Sequence, residues 1–317
     1  MFAPGWSTSR DLERLARWGC EFAPQASTRM GAADLGHDGE VGDRDRESPP
    51  ELVERPPELA RTFNQIPDDY EARPGYPQWL FDVLVERGAL RAGAAVLEIG
   101  AGTGQATLPM LELGADVTAV EPGAALARRL IERTAGRKLQ VIVSSFEEAS
   151  LSEAAFDLVA SATAFHWVDP TVGSAKCARV VRDHGWLALW WTIWGDPDRP
   201  DPFHDALQPV LEVHAPQLLD PAAGPRAYLQ DLAARADRIN ATGAFGPISH
   251  EVLNWEGEHD PVGLRRLFAT YAGWIALPEL LQSELLSEVE RLAREDFGGT
   301  VRRPYQTVLY LARRLPR

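Results

Sequence analysis

From Phe63 onward the chain alternates short, nearly continuous apolar runs with longer stretches whose apolar residues recur at helical spacing. AAVLEIG (94–100), DVTAVE (116–121), QVIVSS (140–145), FDLVASA (156–162) and GWLALWWT (185–192) are apolar enough to predict strands covered on both faces. Between them, helices are predicted over PQWLFDVLVER (77–87), from QATLPMLELG, over GAALARRLIERTAG with Gly136 near its end, and over 173–183. Strands joined in this way by helices pair in parallel through right-handed crossovers, which makes a doubly wound α/β sheet. After Trp194 the rhythm breaks. Residues 195–240 are Pro-rich and then helical, 247–257 predict a strand, 261–273 and 278–295 helices, and PYQTVLYLARR (304–314) a final strand. The irregular stretch is too long for a connection and predicts a helical cap inserted at about 195–275.

Composition divides the chain near residue 60. The segment MGAADLGHDGEVGDRDRESPPELVERPPEL is rich in charge, Gly and Pro and poor in apolar residues, so it predicts a flexible N-terminal extension over 1–60 ahead of one domain over 61–317. A net charge of -14 argues against nucleic acid and anionic membranes as partners, since both require a basic field. The two cysteines, Cys20 and Cys177, form no framework or metal motif, and His204, His214 and His250 are scattered, so no metal is expected. The first residues lack the apolar core of a signal peptide and no window approaches the length of a membrane span, which predicts a cytoplasmic protein. The oligomeric state is left open.

The chemistry gathers around VLEIGAGTGQAT (96–107). Gly100, Gly102 and Gly104 follow the first strand, where an open α/β sheet cradles its ligand. Their spacing is GxGxG: Gln105 or Thr107 stands where a dinucleotide fingerprint needs its last small residue, and no P-loop lysine follows. Glu121 ends the second strand, where a carboxylate can accept hydrogen bonds from both hydroxyls of a ribose. Glu98, two residues before the first glycine, suits a cationic amino group better than a pyrophosphate.

This ordered set resembles the class I S-adenosylmethionine-dependent methyltransferases. ExGxGxG (98–104), Glu121, FDLVASATAFHWVDP, DDYEARPGYP (68–77), RDHGWLAL (182–189) and FGGTVRRPYQTVLYLARR (297–314) are similar to the type 11 branch and its trans-aconitate-like actinobacterial members. The resemblance covers 63–317. It implies a seven-stranded Rossmann-like sheet of order 3-2-1-4-5-7-6 with the last strand antiparallel, and S-adenosylmethionine as donor with S-adenosylhomocysteine as product. By the same resemblance Gly100, Gly102 and Gly104 would approach the methionine moiety and ribose, Glu98 the amino group and Glu121 the ribose hydroxyls. Ser145 and Phe146 would flank adenine, and Tyr70 and Arg73 would fold over the donor, Arg73 toward its carboxylate.

Methyl transfer from a sulfonium needs mainly positioning in a dry pocket, so no strong catalytic motif is required. His166 in AFHW, at the carboxyl end of the fourth strand, is the candidate base, with Tyr70 as a relay. Trp167, Trp191, Trp194, Tyr271 and Trp274 are candidates to line the pocket of a small-molecule acceptor, and so many tryptophans suggest an aromatic or indole-type metabolite. A carboxylate acceptor of the trans-aconitate type is the alternative. A nicotinamide-dependent oxidoreductase and a noncatalytic nucleoside-binding protein share the architecture, but the glycine spacing and the intact acids count against them.

Overall fold

Strand β1 (Ala95–Ile99), buried at all but its first residue, runs through a sheet of order β3-β2-β1-β4-β5-β7-β6. The computed structural model describes residues 62–194, 199–219, 236, 237 and 239–317. In it, β2 (Asp116–Val120) and β4 (Phe156–Ala162) flank β1 in parallel, with β3 (Leu139–Ile142) beyond β2 and β5 (Val181–Trp194) beyond β4. β7 (Val301–Arg313) lies antiparallel to β5 and to the edge strand β6 (Ser249–His259). This is the doubly wound sheet that the apolar runs predict, with its one reversed strand where the resemblance places it.

Successive residues of the strands feed two different cores, as the two-residue period of a strand requires. Val96, Leu158, Ala160 and Trp190 pack with α1 (Gln78–Glu86) and α2 (Thr107–Glu112) through Leu80, Phe81 and Met110. Leu97, Val159, Leu187 and Trp191 face the other side, where α4 (Pro170–Val180) brings Cys177 and Val180. The amphipathic α3 (Ala124–Arg133) follows β2 and buries Leu126, Ala127 and Leu130. The predicted extension over 1–60 lies outside the described residues.

Several boundaries differ from the expected ones for reasons the packing supplies. β3 stops at Ile142, short of Ser145, because the Lys176 ammonium draws the carbonyls of Phe146, Glu147 and Ala149 into a turn. β5 runs from Val181 to Trp194, beyond both predicted ends, since β7 pairs with it over Trp186–Trp194, and its start takes residues 181–183 from the predicted helix. The helix expected over 261–273 ends at Ala269 and is followed by a separate turn, Ala272–Ile275.

The cap helices α5 (Pro202–His214), α6 (Pro261–Ala269) and α7 (Glu279–Glu295) enclose a third core around Phe203, Leu207, Leu264, Phe268 and Val289. That core takes in α7, beyond the predicted interval. A buried ion pair ties it to the sheet: Arg303 of β7 donates from Nε and Nη2 to Asp201 Oδ2 at 2.9 and 2.7 Å. Asp201 also accepts from the His204 backbone N–H at the start of α5, and the guanidinium carbon of Arg303 lies 5.0 Å from the Phe268 ring centroid. Among the described residues no helix is long and apolar enough to cross a membrane.

Removing one partner of a buried pair strands the other charge without a counterion. Asp201→Ala should therefore cost about 3–5 kcal/mol of unfolding free energy in urea titrations. A loss below about 1 kcal/mol would mean that the pair is screened like a surface one.

Candidate active site

The loop after β1 is shaped by contacts that exclude side chains. Gly100 has φ of 72° and an added Cβ would sit 2.4 Å from the Cβ of Ala164, just beyond β4. At Gly102, φ is 57° and a Cβ would come within 2.9 Å of the Tyr70 ring. Both positions thus combine a left-handed backbone with a near neighbour, which only glycine tolerates without strain. Gly104, also left-handed, abuts Leu130 of α3.

Glu121 stands immediately after β2, and its carboxylate joins two loops. Oε2 accepts from the Gly102 N–H and Oε1 from the Gly123 N–H, each at 2.8 Å. Burial raises its pKa, while the two backbone donors oppose that shift. Each oxygen retains a second lone pair beyond those bonds.

Glu98, fully buried in β1, reaches the cleft that opens above the glycine loop. Its Oε2 accepts from the Thr107 hydroxyl at 2.5 Å, and among the described residues its Oε1 has no hydrogen-bond partner. Desolvation, aided by the like charge of Glu121, pushes this carboxyl up to about 8, although the Thr107 bond pulls the other way.

The segment Phe63–Pro77 crosses the same cleft as a strap. Asn64 Oδ1 accepts from the Ala125 N–H at 2.6 Å, tying the strap to the first turn of α3, and Arg129 pairs with Asp68. At the other side Arg266 pairs with Asp69, and Arg73 donates from Nε and Nη2 to the Thr270 hydroxyl and carbonyl at 3.1 and 2.8 Å. The Arg73 guanidinium carbon lies 4.5 Å from the Tyr70 ring centroid and 5.1 Å from that of Phe63. Gln105 donates to the Tyr70 carbonyl at 3.1 Å, so the strap also closes onto the glycine loop.

Tyr70, Arg73, Tyr76, Gln105, Thr163 and Thr192 share the cleft with Glu98, Gly100 and Ala101. The cleft between them is partly open to solvent. Tyr76, Thr163 and Thr192 are site residues that the sequence reading missed. Tyr76 donates its hydroxyl to Thr163 Oγ1 at 3.2 Å, and burial raises its pKa, keeping the phenol protonated. Thr163 has φ of 53°, an expensive conformation for a β-branched residue, held by its N–H bond to the Trp190 carbonyl at 2.7 Å. The signal in the sequence was the second tyrosine of YEARPGYP; Thr163 carried none, because its strain arises from tertiary packing.

The remaining candidates lie away from the cleft lining. His166 sits in the turn Phe165–Trp167 and its Nδ1 accepts from the Trp191 indole N–H at 3.1 Å. That bond occupies the lone pair that a neutral ring would use as a base, and it leaves Nε2 as the protonated nitrogen. Trp191 belongs to the second core, Trp274 and Tyr271 to the cap core, and Trp167 packs edge-on against Phe63. The Trp194 side chain is outside the described part of the structure. Ser145 lies past the end of β3, its Oγ accepting from the Glu148 N–H at 3.3 Å, and Phe146 is buried in the second core beside the Lys176 ammonium. No group of three or more acidic, His or Cys side chains that could hold a metal occurs among the described residues.

A family model described as a methyltransferase domain matches residues 97–189, from β1 into β5. That stretch carries a methyltransferase domain. The chain is 28% identical over 236 residues to an uncharacterised methyltransferase of Mycobacterium tuberculosis, covering 74% of this chain and 86% of that one. A fission-yeast relative, also an uncharacterised methyltransferase, is 30% identical over 141 residues, 43% of this chain and 54% of its own. Among solved structures, a protein provisionally named a type II methyltransferase of Anaeromyxobacter dehalogenans superposes with a TM-score of 0.56 at 24% identity, over 77% of this chain and 99% of its own. A provisionally named methyltransferase from an antibiotic biosynthesis pathway of Anabaena variabilis gives 0.51 at 16% identity, over 73% and 96%. These two likenesses support the fold.

Gly100→Ala tests the shape of the loop. The added methyl meets Ala164 in a left-handed backbone, so the variant should unfold with about 1–3 kcal/mol less free energy in urea. An unchanged midpoint would show that the loop and the turn after β4 part without cost.

Proposed function

We propose that this methyltransferase moves a methyl group from S-adenosylmethionine to a small, oxygen-bearing acceptor in the cleft beneath the strap. The observation that carries the donor reading is the pair of buried acids beside the glycine loop: Glu98, with an oxygen that has no hydrogen-bond partner among the described residues, and Glu121, fixed by two backbone N–H groups. The donor fits them chemically. A sulfonium supplies an already activated methyl group, so the chain's own contribution is to bind, align and exclude water. Glu98 would face the donor's amino group, and the remaining lone pairs of Glu121 would accept from the ribose hydroxyls. Gly100 and Gly102 let the backbone come close. Phe146 and Ser145, set in the turn that Lys176 holds, would border the adenine.

On the acceptor side, the cleft is lined by the polar residues Tyr76, Thr163, Thr192 and Arg73, while Trp190, Trp191 and Trp274 are spent on packing. That lining favours a carboxylate or other oxygen-rich acceptor, in keeping with the trans-aconitate-like resemblance, over the flat aromatic compound that the tryptophan content suggests. A carboxylate requires no base. This agrees with a His166 whose Nδ1 is occupied by Trp191.

Calorimetric titration with S-adenosylmethionine, S-adenosylhomocysteine and NADH tests the donor. The sulfur nucleosides should bind at micromolar concentration and NADH should not, whereas binding of NADH alone would move the protein to the oxidoreductases. Glu121→Ala should weaken S-adenosylhomocysteine by about 1–3 kcal/mol through the lost hydrogen bonds; unchanged affinity would remove Glu121 from the nucleoside site.

A further inference from the structure

Two carboxylates stand in one water-poor site, and they are held very differently. Glu121 has a backbone donor on each oxygen. Glu98, a residue of the cleft lining, is equally buried and has one hydroxyl donor, from Thr107 of α2, leaving Oε1 buried with no hydrogen-bond partner among the described residues. An ionised carboxylate so placed is costly unless a cation joins it. The groups that face Glu98 supply none. From the loop after β2 comes the like-charged Glu121, and from the strap come the Tyr70 ring and Tyr76, whose phenol burial keeps protonated. The strap's Arg73 turns two of its guanidinium nitrogens to Thr270.

We propose that Glu98 holds a proton until a ligand ammonium enters the cleft and then releases it to solvent, so that this site selects its nucleoside by a proton-coupled reading of positive charge. The proposal rests on the donor reading above. The exchange is balanced: the carboxyl O–H breaks, its proton leaves to the buffer, and the carboxylate pairs with an ammonium that arrives already protonated. Glu98 is therefore neutral before the pairing and counterbalanced by the ammonium after it, which avoids an unpaired desolvated anion. Carboxyl burial that raises the pKa to about 8 places the whole exchange in the neutral range. The sign follows: below that value binding expels a proton, so affinity rises with pH.

The test is calorimetry of the full chain with S-adenosylhomocysteine, which carries the ammonium, and with methylthioadenosine, which has the same adenosine and thioether but no amino acid. Titrations in two buffers of different ionisation enthalpy count the protons. For S-adenosylhomocysteine we expect release of close to one proton and roughly tenfold tighter binding per pH unit from about pH 6 to about pH 7. Methylthioadenosine should release none, and this excludes Glu121 as the source because both ligands carry the ribose. Glu98→Gln should abolish the release and the pH slope while still binding methylthioadenosine, which shows that the variant is folded. Binding of S-adenosylhomocysteine without proton release, or equal release with both ligands, overturns the proposal and leaves the donor reading standing. No binding of either nucleoside overturns both.

Discussion

The site depends on the bridge that Glu121 makes between the loops after β1 and β2. Its carboxylate accepts from Gly102 and Gly123 at equal distance, so neither loop can shift without stranding a buried acid. Because β1 and β2 are neighbours in the sheet, with Ile99 in register with Val120, the bridge spans two strand ends that the fold already holds together. The left-handed glycines then become necessary: the backbone must turn toward an acid behind it while Tyr70 and Ala164 press from the other sides.

Around this bridge the strap ties the glycine loop and the cap to each other. Asn64 fixes it to α3 and Arg73 fixes it to Thr270 after α6, with the Tyr70 ring between them on Gly102. The strap's tyrosines thus face the cleft from a segment anchored at both ends, and Tyr76 meets the strained Thr163 after β4. Positioning of this kind is what transfer of an activated methyl group asks of a protein.

Much of this was legible in the chain. Continuous apolar runs separated by helical periodicity gave the sheet, and GxGxG with Glu98 and Glu121 located the loop, because those features are local in sequence. The wall opposite the glycine loop was not legible. Trp190 and Trp191 look alike in a strand, yet the alternation of the pleat sends them to opposite cores, and Trp274 fills the cap. The partner of His166 was hidden for a similar reason, since Trp191 lies on β5, beside the strand that leads into the His166 turn. Thr163 and Thr192 are ordinary residues whose importance comes only from where strand ends converge. Local pattern therefore revealed the loop, and tertiary packing alone revealed the wall opposite.

The most direct measurement follows the methyl group itself. The full chain would be incubated with S-adenosylmethionine labelled at its methyl carbon and with a fractionated extract of small carboxylic acids, phenols and indoles. The account predicts label in a small oxygen-bearing product, with one S-adenosylhomocysteine formed for each methyl transferred. Label in the indole fraction would contradict the reading of the acceptor wall, and release of no S-adenosylhomocysteine from any fraction would contradict the assignment of the cleft as a methyl-transfer site.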